Sequence, residues 1–232
     1  MPDPLSSTPH HEPPHRSAAL PPRPEPRWPA IVALLAIGGL FYALPDDLTV
    51  GPDWMVMVVV AILVAVSSVA RRRGKIALAQ TTGYFTSGIL TLALVGSLVL
   101  LVAGLPSHKE RPADLLLAAS ALWICNLVVF ASWYWRLDAG GPHQRDLRES
   151  HTDGAFLFPQ MTLTKDLRKE MGEDQWRPGF VDYLFLAFNT STAFSPTDVP
   201  VLSRWAKLLM MVQSTISLTT LAVLAARAVN IL

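Results

Sequence analysis

The side chains best placed to do chemistry in this 232-residue chain lie near its C-terminal end, between and upon apolar runs. Thr192, Ser195, Pro196, Thr197 and Asp198 form a short stretch rich in hydroxyls that closes on a carboxylate. On the apolar run that follows, Gln213, Ser217 and Thr220 fall at i, i+4 and i+7, one stripe of a helix. Hydroxyls gathered at membrane depth can line a pore, and a ring of carboxylates supplied by several copies favours cations over anions. An irregular, proline-bearing backbone is tolerated at that depth only where it is buried in protein or faces water. Thr192, Ser195, Pro196, Thr197 and Asp198 are therefore candidates for a polar constriction, and the Gln213 stripe offers it a packing surface. The competing reading is an ordinary interfacial turn with Asp198 solvated.

Catalytic and metal chemistry find no comparable footing. His10, His11 and His15 lie in a polar stretch without a cysteine or carboxylate cluster to complete a metal site. His143, His151 and Asp153 are too loosely spaced to make one. Cys125, the single cysteine, sits inside an apolar run and reads as packing. No nucleophile–base arrangement stands out, so neither an enzyme nor a cofactor or metal is expected. A net charge of +1 gives no basic surface for nucleic acid.

The elements that must position these residues follow from composition. Hydrophobic residues make up 51% of the chain and charged residues 16%, against roughly 25% charged in an average soluble domain. Residues 1–27 hold nine prolines and almost nothing apolar, which predicts a disordered tail. Residues 28–136 read as four transmembrane helices. Trp28–Leu44 and Trp54–Ala70 are joined by a short acidic link, and Arg71-Arg72-Arg73-Gly74-Lys75 ends the second abruptly. Ile76–Leu105 reads as divided, with a hydroxyl-rich first third that suits an interfacial or protein-facing turn and Gly88–Leu105 as the span proper. Leu115–Trp135 makes the fourth crossing, with Trp133, Tyr134 and Trp135 as an interfacial aromatic belt. None of these cores contains an ionisable Asp, Glu, Lys, Arg or His, which argues against a proton-coupled transporter.

Residues 137–179 form a polar loop with a surface helix over Thr164–Gly172 and one hydrophobic anchor, Phe156-Leu157-Phe158-Pro159. Residues 180–232 supply a short helix, a turn and a final transmembrane helix. The fold class expected is all-α, a polytopic transmembrane bundle. Three consecutive arginines point in three directions around a helix, so Arg71–Arg73 reads as a stop signal and not as a voltage sensor. Arg16, Arg23, Arg27, the Arg71–Lys75 cluster and the loop after Trp135 share one side, against Lys109 and Arg111 on the other. That asymmetry places the N-terminus in the cytoplasm of a cell that inserts the protein in its inner membrane.

The order of short helix, Thr-rich turn, Asp, Pro, Arg and long helix resembles the pore module of two-helix potassium channels. The likeness rests on Asp182-Tyr183-Leu184-Phe185-Leu186-Ala187-Phe188-Asn189-Thr190-Ser191-Thr192, on Asp198 and on Arg204, about fifty-five residues in all. The whole chain, with its Trp123 helix, Phe158-Pro159 loop and Ser195-Pro196-Thr197-Asp198 segment, is similar to a family of uncharacterised bacterial multi-pass membrane proteins. The channel likeness implies a homo-oligomer in the lipid bilayer, a tetramer, with monovalent cations as its partners. The T-V-G-Y-G filter is absent: Ser195 and Thr197 stand at the glycine positions and Pro196 at the tyrosine position. What is left is either a wider pore lined by hydroxyls or a hairpin that conducts nothing. In the second case the protein is a membrane scaffold or accessory subunit that docks through the 137–179 loop. Positive-inside bias favours Phe180–Phe194 as a short fifth span, with both chain ends inside.

Overall fold

Proline, glycine and apolar runs divide the chain into helices alone. The structure, a computed structural model, describes residues 25–49, 51–104, 112–148, 151, 153–192 and 199–229. Among the described residues there are nine α-helices and no strand: α1 Trp28–Tyr42, α2 Asp53–Arg72, α3 Ile76–Gly104, α4 Pro112–Leu137, α5 Pro142–Leu147, α6 Pro159–Thr162, α7 Lys165–Glu170, α8 Phe180–Thr192 and α9 Arg204–Val229. Four of these regions are long and apolar enough to cross a membrane: Asp53–Arg72, Ile76–Gly104, Ala113–Gly140 and Arg204–Ala226. At 15 residues α1 is shorter than the span expected from Trp28 to Leu44, because Pro45 and a 3-10 turn at Asp46–Leu48 follow it closely. Large apolar side chains point outward along the long helices, as with Leu92 at 74% and Leu218 at 67% exposure, which suits lipid and not water.

The chain reverses sharply between α2 and α3. Gly74 takes φ +72°, and the N–H groups of Gly74 and Lys75 donate to the carbonyls of Arg71 and Ala70 at 3.0 and 2.9 Å. These two bonds close a Schellman cap, which needs a residue such as glycine at the left-handed position. The stop at Arg73 is thus a backbone event as well as a charge signal. Against α1, α2 approaches closely at Gly38, where a Cβ would lie 3.2 Å from Met57 Cα.

Three expectations are corrected here. The Ile76–Leu105 segment is not divided: α3 runs unbroken for 29 residues. Its hydroxyls do not compete with the helix, because Thr82, Thr86 and Thr91 donate to the carbonyls four residues back at 2.7, 2.9 and 2.7 Å. The Trp133–Trp135 run is no interfacial belt either. Tyr134 and Trp135 are buried, and Trp133 donates its indole N–H to Thr91 Oγ1 at 2.9 Å. The last residues of the stretch read as tail, Glu25–Arg27, pack on the bundle, where Glu25 accepts from Trp135 Nε1 and from Arg145 Nη2.

α8 lies along the second half of α4. Its first turn lies at the end of α4, with the Phe180 ring 5.8 Å from that of Trp135. Its last turn lies beside Asn126, near the middle of α4. Ten residues of α4 separate Asn126 from Arg136, a depth of about 15 Å. The chain then comes back to the end it left: Val201 pairs with Phe156, Leu157 N–H donates to Pro200 O, and Trp205 packs on Phe156. Among the described residues, α8 thus starts, and the segment from Val199 to Trp205 lies, at one end of the bundle. From that end α9 runs the length of the bundle antiparallel to α4, passing Tyr134 with Gln213 and Trp123 with Ser217.

Candidate functional site

The inner tip of α8 poses a problem that the sequence of α9 answers. A helix that ends inside an apolar bundle leaves carbonyls without partners, and each such group is costly to bury. Two serines of α9 take up two of them: Ser214 Oγ donates to Thr190 O at 3.3 Å and Ser217 Oγ to Ser191 O at 2.6 Å. Gln213 Nε2 donates to Ala187 O, one turn further back in α8, at 2.7 Å. Gln213, at 0% exposure, also donates to Ser191 Oγ at 2.7 Å and accepts from the Tyr134 hydroxyl at 2.5 Å. Trp123 Nε1 donates to Ser217 Oγ at 3.1 Å from the α4 side.

The stripe of Gln213 and Ser217 thus meets the tip of α8, and its hydrogen bonds are spent on protein. Thr220 is buried on the same face and bonds only its own helix, donating to Ile216 O at 2.8 Å. Thr192 is half-buried and donates to Asn189 O at 3.2 Å. Ser195, Pro196, Thr197 and Asp198 lie outside the described residues. Close to the tip, Asn126 donates to Gln213 O at 3.3 Å while its own Oδ1 is buried without a donor.

A second group of polar residues closes the end of the bundle from which α8 starts. Asp138, fully buried, accepts from the Tyr183 hydroxyl at 2.6 Å and from Ala155 N–H at 2.5 Å, and His151 Nε2 lies 3.1 Å from it. Arg145 donates to Trp135 O at 2.8 Å, to Asp138 O at 2.9 Å and to Glu25 Oε2 at 3.0 Å. Its guanidinium also lies 5.1 Å from the centre of the Tyr183 ring. Arg27 pairs with Asp146. Burial pushes the Arg27 guanidinium below its ordinary value, Asp146 and Glu25 pull it back, and Arg71 and Arg145 push it down again. The 137–179 segment is therefore fastened to the bundle at several points. Phe156 and Phe158, the predicted anchor, are buried in the bundle against Tyr183 and not in lipid.

Sequence reasoning missed this second group. His151 is noticed only as a poor metal ligand, and Asp138, Arg145, Glu25 and Tyr183 not as a network. One signal was present: Asp138-Ala139-Gly140-Gly141 ends α4 with three consecutive positive φ angles, 50°, 79° and 88°. Such a turn folds the chain back on its helix, and an aspartate at its start is well placed to tie it. Among the described residues no group of three His, Cys, Asp or Glu side chains could hold a metal. No protein family, curated protein or solved structure matches the chain.

Proposed function

We propose that the protein is a membrane protein whose C-terminal module forms a pore for small cations in a homo-oligomer. The observation that carries this reading is the placement of α8, which starts at the end of α4 and stops near its middle, while Val201 pairs with Phe156 back at the end where α8 starts. Half-helices of this kind set irregular backbone at membrane depth, where it must be enclosed by protein or line a water-filled path. In this reading α1 to α4 and α9 cross the membrane, α8 re-enters, and the basic end with Arg71–Lys75 faces the cytoplasm. The N-terminus is then cytoplasmic and the C-terminus lies on the opposite side. The module is inverted relative to two-helix potassium channels, and Asp198 contributes a carboxylate to its cytoplasmic mouth.

The test is reconstitution into liposomes with an ion-flux dye, comparing wild type with Asp198→Asn and Thr192→Val. Cation flux that falls in Asp198→Asn supports the carboxylate ring. No flux from well-folded oligomers under any gradient overturns the pore. A second reading, a non-conducting accessory subunit, is favoured by the internal use of the Gln213 stripe. Its docking surface would be α7 and its flanks, where Leu167 and Met171 are exposed among charged residues.

A further inference from the structure

Arg71, Arg72 and Arg73 are adjacent in sequence, yet they face different surroundings. Arg72 and Arg73 are exposed, whereas Arg71 is partly buried and turns toward a cavity of about 50 Å³ between the ends of α2, α3 and α4. Arg27, Arg136, Gln80, Tyr84 and His143 share its lining. A smaller cavity adjoins it, and Arg27, Arg71 and Arg136 border both. The larger volume holds several waters or one tetrahedral oxyanion.

The charges around this cavity do not cancel. Asp146 is paired with Arg27, and Glu25 is taken by Arg145 and the Trp135 indole. Among the described residues no carboxylate lies within ion-pair distance of Arg71 or Arg136; Asp146 and Glu25 attract Arg71 only from farther off, and Arg71 repels Arg27. Arg27 Nη1 is buried with no acceptor. Three partly buried guanidiniums held together against their own repulsion call for a compensating anion.

The place of Arg136 is also built. Its guanidinium passes over Gly83 of α3 so closely that a Cβ there would lie 1.9 Å from Nη1. It sits 5.3 Å from the centre of the Trp135 ring, and its Nε donates to Ser132 Oγ at 3.3 Å. Gly83 thus gives the guanidinium its seat.

We propose that the cavity between Arg27, Arg71 and Arg136 binds a phosphate group. Guanidinium forks match phosphate oxygens in pairs, and basic pockets between helices at the cytoplasmic face suit the headgroups of anionic lipids. The phosphate comes either from a lipid headgroup or from free phosphate; the site chemistry is the same. The proposal does not rest on the pore reading.

The experiment uses the full chain purified in neutral detergent and has two arms. In one, phosphatidic acid in phosphatidylcholine vesicles or micelles is the probe, with phosphatidylcholine alone as reference. In the other, inorganic phosphate replaces chloride at constant ionic strength. Thermal stabilisation and binding stoichiometry by native mass spectrometry are read for wild type, Arg71→Gln, Arg72→Gln and Gly83→Ala. One phosphate-bearing molecule per chain is expected, with affinity about tenfold weaker or worse in Arg71→Gln and unchanged in Arg72→Gln. Stabilisation by phosphatidic acid alone identifies a lipid, and stabilisation by inorganic phosphate identifies a soluble anion. No phosphate-dependent binding in either arm overturns the site, as does equal binding by Arg71→Gln and Arg72→Gln. Arg71 makes no hydrogen bond that its loss would break among the described residues, so the comparison stands even if Gly83→Ala misfolds.

Discussion

Gln213 uses both ends of its amide at once, and this sets it apart from the other polar residues of α9. Its Nε2 donates to Ala187 O and Ser191 Oγ, and its Oε1 accepts from Tyr134, all in the interior. Gln213→Leu strands the Tyr134 hydroxyl, at about 1–3 kcal/mol for a buried group left unpaired, and removes the side-chain ties to Ala187 O and Ser191 Oγ. Thr220→Val removes only a bond from a side chain to its own helix and costs less than about 1 kcal/mol. Denaturation in mixed micelles should therefore separate the two variants clearly, though both sit on one stripe. The stripe was legible as a period of buried polar residues. Its use was not, because nothing in the spacing says that the facing partner is the end of α8. Gly83 was less legible still: a glycine inside an apolar run has no mark of the arginine laid across it 53 residues later.

At the scale of elements, the local signals were read well and the distant ones were not. Proline, glycine and the arginine run set the ends of α1 and α2, and Thr164 caps α7 by accepting from Leu167 N–H at 3.3 Å. The 137–179 segment reads as a polar loop because its charges are local facts, whereas their partners are remote: Tyr183 for Asp138, and Glu25 for Arg145. Burial of Trp135 and Tyr134 was hidden for the same reason, since an aromatic run at a helix end suits an interface and a core equally. Asp138 is the fastening of the segment. Asp138→Ala strands the Ala155 N–H and the Tyr183 hydroxyl and frees His151, at about 1–3 kcal/mol for each buried group left unpaired. Limited proteolysis of the membrane-embedded protein is the readout. Within the 137–179 segment, cleavage near Gly154 is expected in Asp138→Ala, while wild type is cut there around the exposed Lys165–Gly172 region. Equal cleavage patterns would mean that the segment is held by its aromatic packing alone.

For the whole molecule, the all-helical class and the long apolar helices were legible from composition and run length, which depend on no long-range contact. The path of the chain through α8 was not. A short apolar helix of 13 residues can cross a thin bilayer or turn back within it, and the pairing of Phe156 with Val201 is what supports the second. That pairing joins residues 45 apart and leaves no periodicity to read. The proposed function rests on it, because a crossing helix would remove the half-helix on which that reading stands. The direct test is single-cysteine labelling in intact cells and inverted vesicles, on a Cys125→Ala background, with cysteines placed at Asp47, Met171 and Leu202. All three positions are exposed, Leu202 at 58%. A re-entrant α8 predicts that Met171 and Leu202 react from the same, cytoplasmic side, with Asp47 reacting from the other. Reaction of Leu202 from the side opposite Met171 would show that α8 crosses the membrane and would contradict the account.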